Sequence, residues 1–443
     1  MATPTLSSTS DRREQGKARR QALHRTDQCQ LQLPKDRPDP VELLLGAGKG
    51  RVEELLPIKW TRMNVSPFGF FRGAVPLMAL DLAAQPTTGI TTQICGDAHV
   101  RNLGAFASPT GALVFDVNDF DETIRGPWEW DVKRLATSLV LAGREAGNAD
   151  PVCKDAVLAF VGEYRHSLGV CAEMTALELA RYTVHRHLET GPVTAVLRKA
   201  DRATPQNTLQ KLTVEHGGGH KFKEQKPLQF AVDEKTRREV LAALEAYKAT
   251  MSHERRHFLE LYRPVDVAFK VVGTGSVGTR CYVILCFGNG ADDPLFLQMK
   301  EEPPSAYARY LKDAPACSSQ GQRVVEGQRL MQAQSDIFLG WTRMDNRDYL
   351  VRQLADYKAA VSPNDLKSTG LIEYARICGE VLGKGHARAG DPCVLAGYCG
   401  HGDKLDIAIA KFAFSYATQT EADHKLFAAA VKKGRLQTVE GVL

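Results

Sequence analysis

The first half of the chain alternates between helical and strand-like hydrophobic patterns. Apolar residues recur at helical spacing over 74–85, and 129–147 is strongly helical, with further helical stretches after it. Between these segments, the β-branched residues of 89–95 predict a strand. Residues 103–119 predict two strands around a turn at 108–111. The pattern therefore indicates helices packed around a strand and a hairpin.

The second half changes to a β-rich pattern and then becomes helical again. A charged stretch at 233–262 predicts one or two helices. Three strand-like runs follow it, at 265–272, 279–287 and 294–300. A helix over 320–336 and a strand within 348–358 come next, and residues from Ser362 onward are mainly helical. This order predicts an α+β protein.

These patterns divide the chain into four parts. Residues 1–30 are basic and polar without aromatic residues, which predicts a disordered tail. Residues 31–262 predict a large lobe, 263–358 a small β-rich lobe, and 359–443 C-terminal helices that pack on the large lobe. Within the large lobe, the weak pattern of 190–228, which includes the tract HGGGH, predicts a loop or a mobile insertion.

Composition excludes several classes of protein. The chain has 443 residues, of which 43% are hydrophobic and 25% charged, so it is neither disordered nor collagen-like. A net charge of +5 does not favour a nucleic-acid partner at this size. No apolar run is long enough to span a membrane, and the N-terminus lacks a secretory signal. Ten cysteines without a CxxC pair are typical of reduced thiols, so we expect a cytoplasmic protein.

Three polar residues suggest phosphoryl transfer. Asp97 and Asn102 lie in CGDAHVRN, on the turn that leaves a predicted strand, and Asp119 lies at the far end of the hairpin. Phosphoryl transfer needs an acid that orients the attacking hydroxyl, and an amide oxygen and a carboxylate that hold magnesium. For Asp97 alone, a turn-capping Asx residue is the favoured explanation. All three residues in this context favour a site at which Asp97 is catalytic and Asn102 and Asp119 bind metal.

A glycine-rich loop could cover phosphates. Gly273, Gly275 and Gly278 form a G-x-G-x-x-G pattern, but a strand follows them, so the Rossmann interpretation fails. A glycine loop between two strands is how kinases cover the phosphates of ATP, although a plain glycine hairpin explains the pattern as well. Lys300, at the end of a later strand, could pair with the phosphates, and Glu326 in the next helix could orient it.

These motifs resemble those of aminoglycoside and choline kinase-type phosphotransferases. CGDAHVRN and FDVNDFDE resemble their HGD-x-x-x-x-N and I-D-[FW] motifs, with Cys95 in place of histidine, and Asp131 matches their D-L-A helix. The resemblance implies a two-lobed kinase-like fold with ATP and Mg²⁺ as cofactors and a small-molecule or protein acceptor. Since the catalytic motif precedes the small-lobe motifs, it also implies a circular permutation.

A second resemblance covers nearly the whole chain. SPFGFFRG, CGDAHVRNLGAF, GPWEWDVKRLA, GSVGTRCYV and RVVEGQRLMQAQSDIFLGW closely resemble a bacterial family called domain of unknown function 2252. This family implies no activity. Arg72 within SPFGFFRG is a candidate for contact with an anionic group, or an anchor for a surface turn.

Other functions remain open. Asp97, His99, Asn118 and Asp119 could belong to a metal-dependent phosphoesterase, although no convincing further histidines follow. A kinase-like protein that binds nucleotide only to regulate a partner is also compatible with these residues.

Two further motifs are weak. A zinc cluster of His386, Cys393, Cys399 and His401 has no familiar spacing. The second HGD, at 401–403, lacks the required asparagine, because Ala408 stands in its place.

Overall fold

The computed structural model describes residues 7–183, 191–311, 317–354, 359–361 and 365–442. Its first helices are α1 Thr9–Ala18, α2 Pro40–Ala47, α3 Leu56–Asn64, α4 Pro67–Gly73 and α5 Val75–Ala83. A strand, a hairpin and a fourth strand follow, β1 Thr91–Ile94, β2 Leu103–Ala107, β3 Leu113–Val117 and β4 Ile124–Pro127. Four helices come next, α6 Trp128–Glu145, α7 Asp150–Cys171, α8 Ala176–Arg181 and α9 Gly191–Asp201.

The middle of the chain is rich in strands. It contains α10 Pro205–Leu212, β5 Thr213–His216, β6 Gly219–Phe222, β7 Gln229–Ala231, α11 Glu234–Tyr247 and α12 His253–Glu260. These are followed by β8 Arg263–Lys270, β9 Cys281–Phe287, β10 Pro294–Glu301, α13 Gln320–Met331, β11 Gly340–Met344 and β12 Arg347–Gln353. The last elements are β13 Ala359–Ala360, α14 Thr369–Ala389, α15 Pro392–Cys399 and α16 Lys404–Lys432. The expected α+β class is confirmed.

The large lobe is built on a helical core. Helix α6 is buried along almost its whole length, and α7 and α14 contribute further side chains to the same core. Gly379 and Gly383, one turn apart on α14, face α7. A Cβ atom at Gly383 would lie 3.0 Å from Ser167 Cβ, so glycine permits this close helix contact. Among the helices of the described ranges, none is long and apolar enough to cross a membrane.

The small lobe is an antiparallel sheet with both faces covered. Within the described residues its strand order is β11-β12-β10-β9-β8-β7. Alternate side chains of β8, β9 and β10 pack against α11 on one face. On the other face, Leu209, Leu212 and Phe222 from α10 and β6 cover Val283 and Phe296.

This sheet begins earlier in the chain than the predicted boundary at 263. Strand β7 pairs with β8, with Gln229 opposite Lys270, so the small lobe includes residues assigned to the large lobe. The predicted loop at 190–228 is also wrong for residues 191–222, which form α9, α10 and the β5–β6 hairpin. Its first residue, 190, and the boundary near 358 lie outside the described residues.

The predicted disordered tail is wrong for residues 7–30, whereas residues 1–6 lie outside the described part. Helix α1 begins with a capping box between Ser8 and Asp11 and packs on α15. Arg20 and Arg25 donate hydrogen bonds to the last carbonyl groups of α15, with Arg25 Nη1 2.9 Å from Cys399 O. Cations stabilise the unpaired carbonyls at a helix C-terminus, which explains why a basic segment is ordered here.

Replacing Gly16 with alanine is expected to lower thermal stability and expose α1 to trypsin. A Cβ atom at Gly16 would overlap the carbonyl of Val394 in α15, and such overpacking costs about 1–3 kcal/mol. Gly46→Ala is the matched control, because nothing lies within 4 Å of its Cβ position in α2. Thermal unfolding and limited trypsin digestion measure both variants. Equal behaviour of the two would show that α1 does not pack on α15.

Candidate active site

Residues from both lobes line one small cavity. Asp97, Asn102 and Asp119 from the large lobe lie opposite the glycine loop of the small lobe, around a space of about 40 Å³. Arg72, His99, Asp121 and residues 273–276 complete its wall. Lys300 reaches the same carboxylates from β10. The structure therefore brings together residues that are widely separated in the sequence.

Helix α6 holds the loop 95–102 in place through hydrogen bonds. The carboxylate of Asp131 accepts hydrogen bonds from the backbone N–H groups of Cys95, at 2.7 Å, and Gly96, at 2.9 Å. His386 Nε2 lies 3.2 Å from the same carboxylate. Gly96 has a φ of 79°, and a Cβ atom there would overlap the backbone of Glu122. Asp131 is therefore a positioning residue for the loop that carries Asp97.

Asp97 combines a buried ion pair with access to the cavity. Arg134, fully buried in α6, donates from Nε to Asp97 Oδ1 at 2.7 Å. Burial raises the pKa of Asp97, and Arg134 opposes this shift without cancelling it. A carboxylate held in one orientation beside a cavity is suited to accept a hydrogen bond from a hydroxyl group.

Asn102 and Asp119 present oxygen atoms to the cavity. Asn102 Nδ2 donates to the carbonyl of Asp97 at 2.9 Å, which leaves the amide oxygen as the candidate ligand. The Oδ1 atoms of Asp119 and Asp121 are buried and accept no hydrogen bond from the described residues. Amide and carboxylate oxygens are the donors that Mg²⁺ takes from proteins, usually with one or two carboxylates. These residues therefore fit a magnesium ion.

Lys300 balances the charge of these carboxylates. Its ammonium group pairs with Asp121 and lies 3.9 Å from Asp119 Oδ1, and only 2% of its side chain is exposed. Burial alone would lower the pKa of Lys300, but the two carboxylates outweigh it and raise the pKa. The lysine thus stays charged next to the candidate metal ligands.

The predicted pairing of Glu326 with Lys300 is wrong. Glu326 lies on the exposed face of α13, where Gln322 Nε2 donates to it at 2.7 Å. Helix α13 turns Gly327, rather than Glu326, toward the large lobe, where a Cβ atom would lie 2.5 Å from Thr123 Cγ2. The carboxylate that pairs with Lys300 is Asp121, which sequence reasoning missed although it lies two residues after Asp119 in the same motif.

Glu302 is a second buried carboxylate beside the site that the sequence did not predict. It follows Lys300 closely in the chain, is 2% exposed, and neither oxygen accepts a hydrogen bond from the described residues. Burial, and after it the charge of Asp121, raise the pKa of Glu302 well above its usual range. No local sequence pattern separates this residue from the exposed glutamates of the chain, so only its burial identifies it.

The glycine loop is the tip of the β8–β9 hairpin and is held by cations of the large lobe. Arg51 Nη1 donates to the carbonyls of Gly275, at 2.9 Å, and Val277, at 2.6 Å, and Lys59 also donates to Gly275. Gly278 has a φ of 88°, which favours glycine. These bonds place Gly273 and Gly275 over the carboxylates.

Magnesium affinity is expected to fall as the pH drops through about 6. Burial and the charge of Asp119 raise the pKa of Asp121 to about 6, against the effect of Lys300. For Asp119, burial is outweighed by Lys300 and Arg352, so its pKa lies below the usual range. Deprotonation of Asp121 adds a negative charge beside the metal ligand Asp119, so binding of a cation strengthens on the alkaline side. Calorimetric titration of Mg²⁺ between about pH 5 and pH 8 measures this dependence. Asp121→Asn should abolish it, and a constant wild-type affinity would contradict the role of Asp121.

The weaker candidates lie apart from this cavity. His386 is engaged by Tyr164, whose hydroxyl lies 2.8 Å from Nδ1, as well as by Asp131. In the ranges that the structure describes, no three or more His, Cys, Asp or Glu side chains are grouped to hold a metal by themselves. The weak zinc candidate of His386, Cys393, Cys399 and His401 is therefore not assembled in the described residues. His401, in the second HGD, lines a separate pocket with Arg13 and Arg25.

Comparison with protein families covers most of the chain. Residues 51–430 match the family described as uncharacterized protein conserved in bacteria (DUF2252). The chain belongs to the DUF2252 family. The DUF2252 match includes both the loop 95–102 and the glycine loop, so both sides of the cavity lie within the region that the family model matches. Searches of curated proteins and of solved structures returned no match.

Proposed function

We propose that this protein is an ATP- and Mg²⁺-dependent phosphotransferase that acts on a hydroxyl-bearing acceptor. The main observation in favour of this proposal is that Asp97, Asn102 and Asp119 lie next to the glycine loop and Lys300 around one cavity. Each residue type is common in proteins. Their convergence from opposite lobes supports phosphoryl transfer, which needs these groups at one place.

The architecture supports a kinase-like, circularly permuted arrangement. In the small lobe, β8 leads into the glycine loop, β9 and β10 follow, and Lys300 lies near the end of β10. Kinases have a glycine-rich loop over the phosphates and a lysine on the third strand. The hairpin β2–β3, which carries the candidate catalytic residues at its ends, comes before this lobe in the chain. We infer that the two kinase-like lobes occur in reversed sequence order.

Each group around the cavity would have a separate role in phosphoryl transfer. Asp97 would accept the hydrogen bond of the acceptor hydroxyl, while Arg134 keeps its carboxylate oriented. The amide oxygen of Asn102 and the carboxylate of Asp119 would hold Mg²⁺, which neutralises phosphate charge when it is bound. Lys300 would pair with phosphate oxygens, and the glycine loop would exclude water above them.

Mg-ATP is expected to raise the melting temperature of the wild-type protein, since a ligand of the folded state stabilises by about 2.7 kcal/mol at 100 times its Kd. The rise should disappear without Mg²⁺ and in Asp119→Asn, which removes a metal ligand. Glu326→Gln is the matched control and should keep it, because Glu326 faces solvent.

A wild-type protein that shows no rise at millimolar Mg-ATP would contradict the proposal. A rise without any consumption of ATP in the presence of candidate acceptors would instead support a regulatory nucleotide-binding protein. Assaying released ADP in the same samples separates these two outcomes.

A further inference from the structure

A large cleft opens beside the small cavity. Its volume is about 520 Å³, and it shares Asp97, Asp121 and Gly275 with the cavity of about 40 Å³. The smaller space has room for little more than one water molecule or a metal ion. An acceptor hydroxyl must reach Asp97, so the large cleft is its route of approach.

The cleft lies at one end of the small-lobe sheet. Thr279, Glu301 and Arg347 line it, where β9 and β12 begin and β10 ends. At the opposite end of the sheet, Pro294 of β10 pairs with Phe287 of β9. Lys300 lies near the cleft end of β10, which places the lysine assigned to the phosphates close to the cleft.

Lys59 is a buried cation at the wall of this cleft. It is 7% exposed, and Nζ donates to the carbonyl of Gly275 at 3.2 Å. No carboxylate within the described residues forms an ion pair with it. Burial, together with the positive charge of Arg51, lowers the pKa of Lys59 well below its usual value. A buried cation without a counter-ion is destabilising, and an anion bound in the cleft would relieve that cost.

Two arginines near Lys59 also lack an ion-pair partner among the described residues. Within the described residues, the Arg51 guanidinium donates to backbone carbonyls of the glycine loop and to no carboxylate, and Arg72 Nε is buried without a hydrogen-bond partner. Burial, with the nearby charge of Arg101, lowers the pKa of Arg72 to about 10. Both stay cationic at neutral pH, because a guanidinium group is not deprotonated in proteins. Arg51 lies at the cleft and Arg72 at the cavity, on the two sides of Asp97.

Within the described residues, the carboxylates of the cleft form no ion pair with these cations. Glu122 Oε2 accepts a hydrogen bond from the backbone N–H of Ala306 at 2.7 Å, and Glu122 forms no ion pair with Arg51 or Lys59. Glu301 pairs with Arg280 and Arg347. Glu302 is buried among acidic neighbours and favours its neutral form. Arg51, Lys59 and Arg72 therefore form no ion pair within the described residues, although Asp97, Asp121 and Glu122 lie near them.

We propose that the acceptor carries an anionic group, a phosphate or a carboxylate, and that Lys59 and Arg51 bind this group in the cleft while Arg72 supports it from the cavity side. The inference rests on the proposed function, because that function assigns the acceptor hydroxyl to Asp97. Anchoring the anionic group on these cations would hold a neighbouring hydroxyl against Asp97, and such positioning accelerates a transfer reaction.

Calorimetric titration with inorganic phosphate and with acetate tests the proposal. Wild-type protein should bind at least one of the two, and the preferred probe identifies phosphate or carboxylate as the acceptor group. Lys59→Met should weaken binding by about tenfold or more, because hydrogen bonds to a charged group are lost. Lys433→Met removes an exposed, distant charge and should leave the affinity unchanged.

Stability distinguishes a binding role from a structural one. Lys59→Met removes a buried cation that has no ion-pair partner among the described residues, while Arg51 keeps its own bonds to the glycine loop, so the melting temperature should fall by little; a lysine needed mainly for structure would lower it markedly. Arg72→Gln, which keeps a polar side chain, provides a second variant and should also weaken probe binding. Absence of binding by both probes, or unchanged binding in both variants, would overturn the proposal.

Titration in the presence of a non-hydrolysable Mg-ATP analogue locates the site. Probe binding that persists supports the acceptor site, and competition would overturn it by assigning the cations to the nucleotide. Failure of the proposed function is seen separately, as a missing Mg-ATP effect on melting temperature. Probe binding that depends on Lys59 without that effect would retain the anion site and reject the phosphotransferase.

Discussion

Replacing Asp97 with asparagine is expected to lower phosphoryl transfer by about 10²–10⁴-fold while Mg-ATP binding changes little. Asparagine keeps the size of the side chain but cannot take a proton or orient a hydroxyl as a carboxylate does. The metal and phosphate groups are assigned to Asn102, Asp119 and Lys300, which the substitution leaves in place. Single-turnover measurements with saturating Mg-ATP report the chemical step directly, and equal rates would contradict the role of Asp97.

Stability must be measured alongside that rate. Arg134 is fully buried and pairs with Asp97, so Asp97→Asn leaves a buried cation without its counter-ion, a loss of about 3–5 kcal/mol. The double variant Asp97→Asn/Arg134→Gln removes both charges and should recover much of this stability. It should not recover turnover. A double variant that regains activity would show that Asp97 acts only as a structural partner of Arg134.

Local features of the fold were predictable because short-range patterns determine them. The strand at 89–95 is observed as β1, and the two strands within 103–119 are β2 and β3 with their turn at 108–111. The glycine loop lies between two strands as expected. The alternation of side chains in a strand and the residues that form a turn are patterns of a few consecutive positions. A single sequence therefore reveals both.

Features that depend on distant partners were not predictable. Arg20 and Arg25 order the N-terminal segment by donating hydrogen bonds to backbone carbonyls of α15. Every residue has a backbone carbonyl, so the sequence does not show which ones accept these bonds. Residues 205–222 pack through few apolar side chains, which gave a weak pattern. Glu326 faces solvent because contact between Gly327 and Thr123 sets the rotation of α13. The same distant packing placed Asp121, rather than Glu326, beside Lys300.

Replacing Lys300 with methionine is expected to destabilise the protein by about 3–5 kcal/mol at neutral pH and to abolish stabilisation by Mg-ATP. Lys300 is 2% exposed and pairs with Asp121, with Asp119 Oδ1 at 3.9 Å. Without the ammonium group these carboxylates are buried together, and their pKa values should rise. Glu326→Gln is the control, and we expect it to change neither stability nor nucleotide binding.

The pH dependence of this variant tests the electrostatic cause. A carboxyl group whose pKa is raised by folding binds more protons in the folded state, so stability is lost as the pH rises through that pKa. In the wild type this window ends near 6 for Asp121, and in Lys300→Met it should extend to higher pH. Urea unfolding of both proteins between about pH 5 and pH 8 should therefore show a steeper loss in the variant. Parallel curves would mean that Lys300 does not compensate these carboxylates, and the charge balance assigned to the cavity would be wrong.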